Sequence, residues 1–321
     1  MTRRTLVLGA MAAPFAAPAI ARAQSGLPNI IKIVVPFPPG GTVDPIARMV
    51  QPGLQQKLGT TIIIENKPGA SGSLGAAQVA KSPPDGSNWV FVFDTHAVNP
   101  FLQNLPFDTE KDLEPVLLIG VAPNVLATHP GKPFKSFADV IAAAKAKPDT
   151  VTYGSIGSGS LGHLTMVLLS QRAGVRMVHV PYRGGGPLMN DALAGHVDLA
   201  IGSAALVTPQ VRGGKLRGIT QTGAARIAGL PDVPTTIQDG FAGFESYAWW
   251  GSFTAGRTPR AIVDRFSKAF AETLSEPAIK SRIEGMQITM RLGGPDEQRK
   301  FLAEQMKLWG PVVREHGIKP N

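Results

Sequence analysis

An α/β fold built from doubly wound, mostly parallel sheets is predicted by two observations. The first is a repeated succession in which an apolar, β-branched run ends in a Gly-, Pro- or Ser-rich loop and a helical apolar period follows. The second is the absence of cysteine from 321 residues that are 43% hydrophobic, so burial of a sizeable core has to hold the fold without disulfides. In such sheets ligands sit off the carboxyl ends of the strands, where the Gly-rich loops lie.

The first 23 residues stand outside this scheme. Arg3 and Arg4 precede an apolar, Ala-rich run over residues 6–20, and Ala21-Arg22-Ala23 forms a small-residue cleavage site before Gln24. This is read as a signal peptide, too short for a stable membrane anchor. Its Thr-Arg-Arg-Thr-Leu-Val context resembles a twin-arginine signal, and ordinary secretory export stays open beside it. Cleavage would leave 298 of the 321 residues, enough for two α/β domains, with no lipid-anchoring cysteine and a soluble periplasmic product. The leader's three arginines take the formal net charge from +9 to +6. The remaining basic residues are scattered singly with no aromatic interleaving, which argues against nucleic acid and suits steering of small anions.

The elements follow in order. Ile31, Ile33, Val34 and Val35 form a strand running into Pro36-Phe37-Pro38-Pro39-Gly40-Gly41-Thr42. Val43, Ile46, Ala47, Val50, Leu54 and Leu58 share one helical face, with Pro52 as a kink and Thr42 or Asp44 as a cap. Residues 62–65 are a strand before a second Gly/Ser loop, 66–73. Residues 89–93 are a third strand, and 94–100 are read as its loop.

A second unit starts near Val121 with no linker to mark it. Ser136 caps a helix carrying Val140, Ile141 and Ala144. Strands at 151–153, 178–180, 197–201 and 216–220 alternate with helices. Phe241, Phe244, Tyr247, Trp249, Trp250 and Phe253 read as core at strand spacing. The remainder reads as helices at Pro259–Leu274, Pro277–Met286 and Pro295–Val313.

The most informative stretch is Tyr153-Gly-Ser-Ile-Gly-Ser-Gly-Ser-Leu-Gly-His-Leu164, a strand, a loop and a helix start suited to an anion. Three readings stand side by side: a small-anion cradle, a dinucleotide loop, and a corner with no ligand. Gly157, Gly159 and Gly162 match GxGxxG, but the next strand ends in Pro181-Tyr182-Arg183 without a ribose-binding carboxylate, so only NADP, through Arg183, suits that pattern. An exported NADP-dependent oxidoreductase is therefore the alternative function. Catalytic signatures such as GxSxG, HExxH and the P-loop are absent from the sequence. His96, His129, His163, His179, His196 and His316 show no paired ligand spacing, so no metal and no resident cofactor are expected.

Six motifs in order carry a family resemblance: Val35-Pro-Phe-Pro-Pro-Gly-Gly41 with Asp44 and Arg48; Glu65-Asn-Lys-Pro-Gly-Ala-Ser-Gly72; Asn99-Pro100; the Tyr153 stretch; Val180-Pro-Tyr-Arg-Gly184; and Leu230-Pro-Asp-Val-Pro-Thr235. On these the chain resembles the tripartite tricarboxylate transporter substrate-binding proteins, the Bug family of extracytoplasmic solute receptors. The resemblance implies a type II-like periplasmic-binding-protein fold, residues 24–122 plus 246–321 as one lobe and 123–245 as the other. It further implies a monomer, not an enzyme, that closes by a hinge on a small carboxylate and presents it to a membrane permease or a sensor protein. The ligand loops it implies are Phe37, Gly40, Gly41 and Thr42; Gly69, Ala70, Gly72 and Ser73; and Thr95 and His96. From the second lobe come Ser155, Gly157, Ser158, Gly159, Ser160 and His163; Tyr182, Arg183 and Gly184; and Ser203. The family's Pro-Ala-Gly-Thr-Pro turn stands here as Ala255-Gly-Arg-Thr-Pro259, and its Glu-x-Gly as Gln238-Asp-Gly240, neither within those loops.

Overall fold

A computed structural model describes residues 26–320, so the leader read at residues 1–23 lies outside the described residues. The first half of the chain runs β1 (Ile30–Val35), α1 (Val43–Leu58), β2 (Thr61–Asn66), α2 (Ser73–Ala80), β3 (Asn88–Phe93), α3 (Thr95–Leu102) and β4 (Leu113–Thr128). Then come α4 (Phe137–Ala146), β5 (Thr152–Ser155), α5 (Leu161–Ala173), β6 (Val178–Pro181), α6 (Gly185–Ala194), β7 (Leu199–Ser203), α7 (Ala204–Arg212) and β8 (Arg217–Gln221). The chain finishes with β9 (Tyr247–Ala255), α8 (Arg260–Leu274), α9 (Pro277–Gly285), β10 (Thr289–Gly293) and α10 (Pro295–Glu315).

The strands line up as β2-β1-β3-β9-β4-β7-β5-β6, with β8 and β10 also paired to β4. Parallel pairing joins β1 to β2 and β3, and β5 to β6 and β7, as the strand–loop–helix succession requires. The long central strands β4 and β9 run antiparallel to their neighbours. β4 is the backbone of both halves: residues 113–123 pair with β9, and residues 124–128 pass to β7 and β8. The boundary expected near Val121 thus falls inside one continuous strand. The strand runs through that point and only its partners change. Pro115 is tolerated in so central a strand because the register shifts beside it, and Pro123 because it stands at the end of the β9 pairing.

Helix signals translate directly. The six apolar positions of α1 are all buried, and Gly59 ends it in the left-handed region at φ 66°. Ser136 and Asp139 form a reciprocal capping box on α4. In the core of the first half, Trp89 stacks on Phe266 at 3.7 Å and Phe91 on Phe270 at 4.7 Å, which clamps α8 onto β3. Trp249, Trp250 and Phe253 of β9 are fully buried, in keeping with the core reading of that aromatic cluster.

Two stretches differ from expectation. Residues 94–100, read as a loop, open α3, whose buried face carries Ala97, Val98 and Leu102. Pro100 stands within this helix, and the short apolar pattern before it was masked by polar Thr95, His96 and Asn99. Between the helices expected to end at Met286 and to start at Pro295 lies β10, an unforeseen irregular strand that pairs with β4 through a register shift and has a left-handed Leu292 at φ 50°.

Candidate ligand cleft

The loops at the carboxyl ends of β1, β2 and β3 face those of β5, β6 and β7. After β2 the backbone enters a run of four residues at positive φ: Gly69 (140°), Ala70 (47°), Ser71 (51°) and Gly72 (90°). For Ala70 and Ser71 that conformation costs about 1–2 kcal/mol each, so something must hold it. The holders are three side chains one turn apart on α3. Thr95 Oγ1 and Asn99 Nδ2 donate to the Ser71 carbonyl at 2.8 and 3.1 Å, and Gln103 Nε2, at the end of the helix, donates to the Ala70 carbonyl at 3.2 Å. Ser73 Oγ adds a bond to the Ala70 carbonyl at 2.8 Å. Thr95 and Ser73 thus support the turn from behind.

Across the cleft, the loop after β5 satisfies much of its own backbone. Gly157 N–H donates to Ser155 Oγ at 3.4 Å, Gly159 N–H to His163 Nδ1 at 3.1 Å and Ser160 N–H to the Gly157 carbonyl at 3.1 Å. Ser160 Oγ caps α5 by accepting from His163 N–H at 3.3 Å. Leu161 N–H, at the helix start, donates at 3.4 Å to Asp94 Oδ1, which comes from the end of β3. That carboxyl group stands where the dinucleotide reading would put a pyrophosphate. Ser155, Gly157, Ser158, Gly159, Ser160 and His163 are all buried.

Below this loop lies a stack of rings. His163 and His179 lie parallel at 3.7 Å, and Tyr153 stacks on His179 at 5.1 Å. Burial lowers the His163 pKa to about 3, assisted by its neighbour's charge, and the His179 pKa to about 4. Neutral rings fit the hydrogen bonds, because His163 Nδ1 has to be unprotonated to accept from Gly159. His179 Nε2 meets Ser155 Oγ at 2.7 Å. His96 is buried on α3 against Phe253, ring to ring at 4.7 Å, with its pKa lowered to about 4 by burial. Burial raises the Asp94 carboxyl well above the usual carboxylate range, and its Oδ2 has no partner among the described residues.

Of the cavities between the loops, two share Ile156. The larger, about 380 Å³, is lined by Gly69, Ala70, Ser71, Gly72, Gln103, Tyr182 and Arg183 among others. It is of the size that holds small molecules. Arg183 is exposed there, and its guanidinium makes no hydrogen bond or ion pair with the described residues. Tyr182 Oη donates to Asp191 at 2.7 Å. The smaller cavity, about 30 Å³, is lined by Phe37, Gly41, Thr42, Phe93, Ile156, Gly184, Ser203 and Leu206 among others.

Of the residues singled out in sequence, Phe37, Gly41, Thr42, Gly69, Ala70, Gly72, Tyr182, Arg183, Gly184 and Ser203 wall these two cavities. Gly40 lies on a groove beside them. Thr95, His96, Ser73 and the 155–163 group stand behind the walls. Ile156, Phe93, Leu206 and Gln103 are wall residues that sequence reasoning passed over. Apolar residues at strand ends and helix starts look like core, and only the position of Ile156 inside the Gly/Ser stretch marked it.

Asp44 is neither a cap nor a free anion. It accepts from Arg48 Nε and Asn66 Nδ2, both at 2.9 Å. Thr42 Oγ1 accepts from Trp250 Nε1 at 3.0 Å. Beside the small cavity the two loop sets meet backbone to backbone: a Cβ on Gly186 would lie 2.9 Å from the Pro39 carbonyl oxygen, and one on Gly40 would lie 3.3 Å from Gly186 Cα. Only glycine permits that approach.

The sequence profile described as "Tripartite tricarboxylate transporter family receptor" matches residues 46–318. Protein BugT of Bordetella pertussis is 32% identical, over 99% of both chains. Among solved structures, periplasmic binding protein BugD superimposes with a TM-score of 0.85 at 28% identity, covering 91% of this chain and 99% of that one. An R. palustris protein solved with adipate gives a TM-score of 0.86 at 29% identity, over 92% and 99% of the two chains.

Proposed function

The chain belongs to the tripartite tricarboxylate transporter receptor family, and from that premise we propose that it captures a small carboxylate between two lobes and hands it on. A periplasmic solute-binding receptor is the function of the family, and its relatives are solute-binding proteins rather than enzymes. The proposed lobes are residues 24–122 plus 246–321 and residues 123–245, hinged where β4 passes from β9 to β7 and β8, with the protein acting as a monomer. The recipient is a membrane permease or a sensor protein. Export follows from the leader, with cleavage before Gln24.

The observation that carries the carboxylate reading is the larger cavity, where the unpaired Arg183 guanidinium faces the strained Gly69–Gly72 turn. A guanidinium fork suits a carboxylate, and the other loops add backbone groups and apolar walls. The R. palustris relative solved with adipate supports an acid as the ligand class. The remaining candidate ligand residues, Gly157 to Ser160 and His163, shape the wall on this reading rather than touch the solute. Closure brings residues 38–41 against 184–186 by a hinge motion.

The test is a thermal-shift screen of the chain from Gln24 onward against mono-, di- and tricarboxylates and NADP. A saturable rise with a carboxylate supports the receptor, since a ligand that binds only the native state stabilises it by RT ln(1 + [L]/Kd). A rise with NADP alone would replace this reading with the oxidoreductase.

A further inference from the structure

The proposed lobes also meet at a seam behind the cavity walls, and a carboxyl group is buried in it. Asp94 follows β3 on one side, and α5 starts on the other. Asp94 is 1% exposed, its Oδ1 accepts from Leu161 N–H at 3.4 Å, and its Oδ2 has no partner among the described residues. Ser71 Oγ donates across the same seam to the Ser158 carbonyl at 3.3 Å. No lysine or arginine pairs with Asp94 among the described residues; besides Leu161, the neighbouring Thr95 N–H bonds it. The ionisable groups on the surrounding elements are neutral, paired or distant. His96 on α3 and His163 on α5 are neutral rings, Asp44 pairs with Arg48, Tyr247 on β9 pairs with Glu245, and Arg314 on α10 lies over Phe101, towards the far end of α3.

We propose that Asp94 couples closure to proton uptake: its carboxyl is neutral when the lobes meet and ionised when they part, so the receptor holds its solute more tightly as pH falls. This rests on the receptor reading above and adds a control to it. When the lobes separate, Asp94 stays with β3 and Leu161 leaves with α5, so the carboxyl loses that amide and gains water. In water it titrates near the ordinary value of about 3.9. In the closed seam an ionised carboxyl would exchange its water for two backbone amides and no cation, whereas the neutral acid keeps both bonds without burying a charge. The start of α5 favours a negative charge, but Ser160 already caps it, and that attraction is small beside the cost of a buried, unpaired carboxylate. Burial accordingly raises the Asp94 carboxyl well above the ordinary range, with the two amides opposing. Between the open and closed pKa values the closed form holds the extra proton, and apparent affinity falls there by up to about tenfold per unit rise in pH. Outside that window it is flat. The buried histidines act the other way, since closing over a ring whose pKa burial lowers releases a proton.

The test is isothermal titration calorimetry on the chain from Gln24 onward, with the tightest binder among acetate, hexanoate, benzoate and adipate. At about pH 6.5, binding in PIPES and in Bis-Tris, which differ in ionisation enthalpy, reports proton exchange. The expected result is net proton uptake, with affinity falling at least about threefold from about pH 6 to about pH 8. Asp94→Asn keeps an acceptor for Leu161 N–H without the charge. It should abolish the uptake, bind independently of pH and exceed the wild-type affinity at about pH 8 by at least about threefold. No uptake by the wild type, or uptake that persists in Asp94→Asn, overturns the inference and leaves the carboxylate receptor standing. If the variant does not fold, the wild-type uptake and pH profile decide. Failure of all four acids, and of the wider carboxylate panel, overturns the receptor reading. The proton is then read directly by infrared spectroscopy of the unliganded protein at about pH 6.5, where a protonated-carboxyl stretch supports the buried acid and its absence overturns it as well.

Discussion

Gly186→Ala separates closure from folding. Gly186 is the second residue of α6, at no special φ, so alanine suits the backbone and should raise the stability of the helix by about 0.5–1 kcal/mol. Its Cβ, however, would sit 2.9 Å from the Pro39 carbonyl oxygen of the facing loop, closer than carbon and a backbone oxygen tolerate. Neither atom is at the end of a flexible side chain, so the loops must draw apart. Overpacking of this kind costs about 1–3 kcal/mol, and it is charged only to the form in which residues 38–41 and 184–186 meet. Solute affinity should therefore fall by about 5- to 150-fold while the unliganded protein unfolds at the same or a higher urea concentration. Calorimetric Kd values with the best-bound carboxylate, paired with urea unfolding, provide both readings. An unchanged Kd would refute the reasoning, because it would mean that these loops stay apart in the bound form.

Further perturbations address the walls, the turn and the buried histidines. Arg183→Ala removes an exposed, unpaired guanidinium, so it should leave the unfolding midpoint within about 0.5 kcal/mol and weaken carboxylate binding at least about tenfold, read by calorimetry. Asn99→Ala leaves the Ser71 carbonyl with one donor fewer, and should lower stability by about 1 kcal/mol in urea and loosen the solute with it. Ala70→Gly relieves a φ of 47°, a gain of about 1–2 kcal/mol that exceeds the entropy lost, so the variant should melt at or slightly above the wild type. His96, with a folded pKa of about 4 against about 6.5 unfolded, binds fewer protons when native. Its contribution is therefore complete above about pH 6.5 and is lost as pH falls toward 4, with a slope of up to about 1.4 kcal/mol per pH unit. His163 and His179 act in the same direction. His96→Phe should flatten the decline in urea midpoint between pH 7 and 4.5, and an unaltered slope would show that His96 is not buried as a neutral ring.

Much of this protein is legible in its sequence because the signals are local. Apolar period, Gly/Pro punctuation and capping residues place α1, α4, α5 and most strands, since each rests on contacts or hydrogen bonds within a few residues. Six ordered motifs point to the receptor family for the same reason: most are loop residues at strand ends, where ligand sites gather, although Asn99-Pro100 lies within α3. The sequence also marks residues 69–72 as special through their glycines, though not that Ala70 and Ser71 share their left-handed backbone. That conformation is held by Thr95, Asn99 and Gln103, more than twenty residues away, and a donor supplied by a distant helix leaves no local trace.

The same limit explains the rest. β10 forms only because β4 offers it an edge, and β4 runs unbroken through residue 121 because β9, then β7 and β8, supply its partners. The division of labour in the cleft is also tertiary. Sequence nominates Gly157 to Ser160 as the cradle, but folding commits several of their amide and hydroxyl groups to His163 and to one another, and the helix start behind them to Asp94. Arg183, with nothing beside it, is left facing the open cavity. Local sequence fixes which backbone groups lack helical or strand partners. Which of them stay available to a solute depends on side chains that only the packed lobes bring within hydrogen-bonding distance.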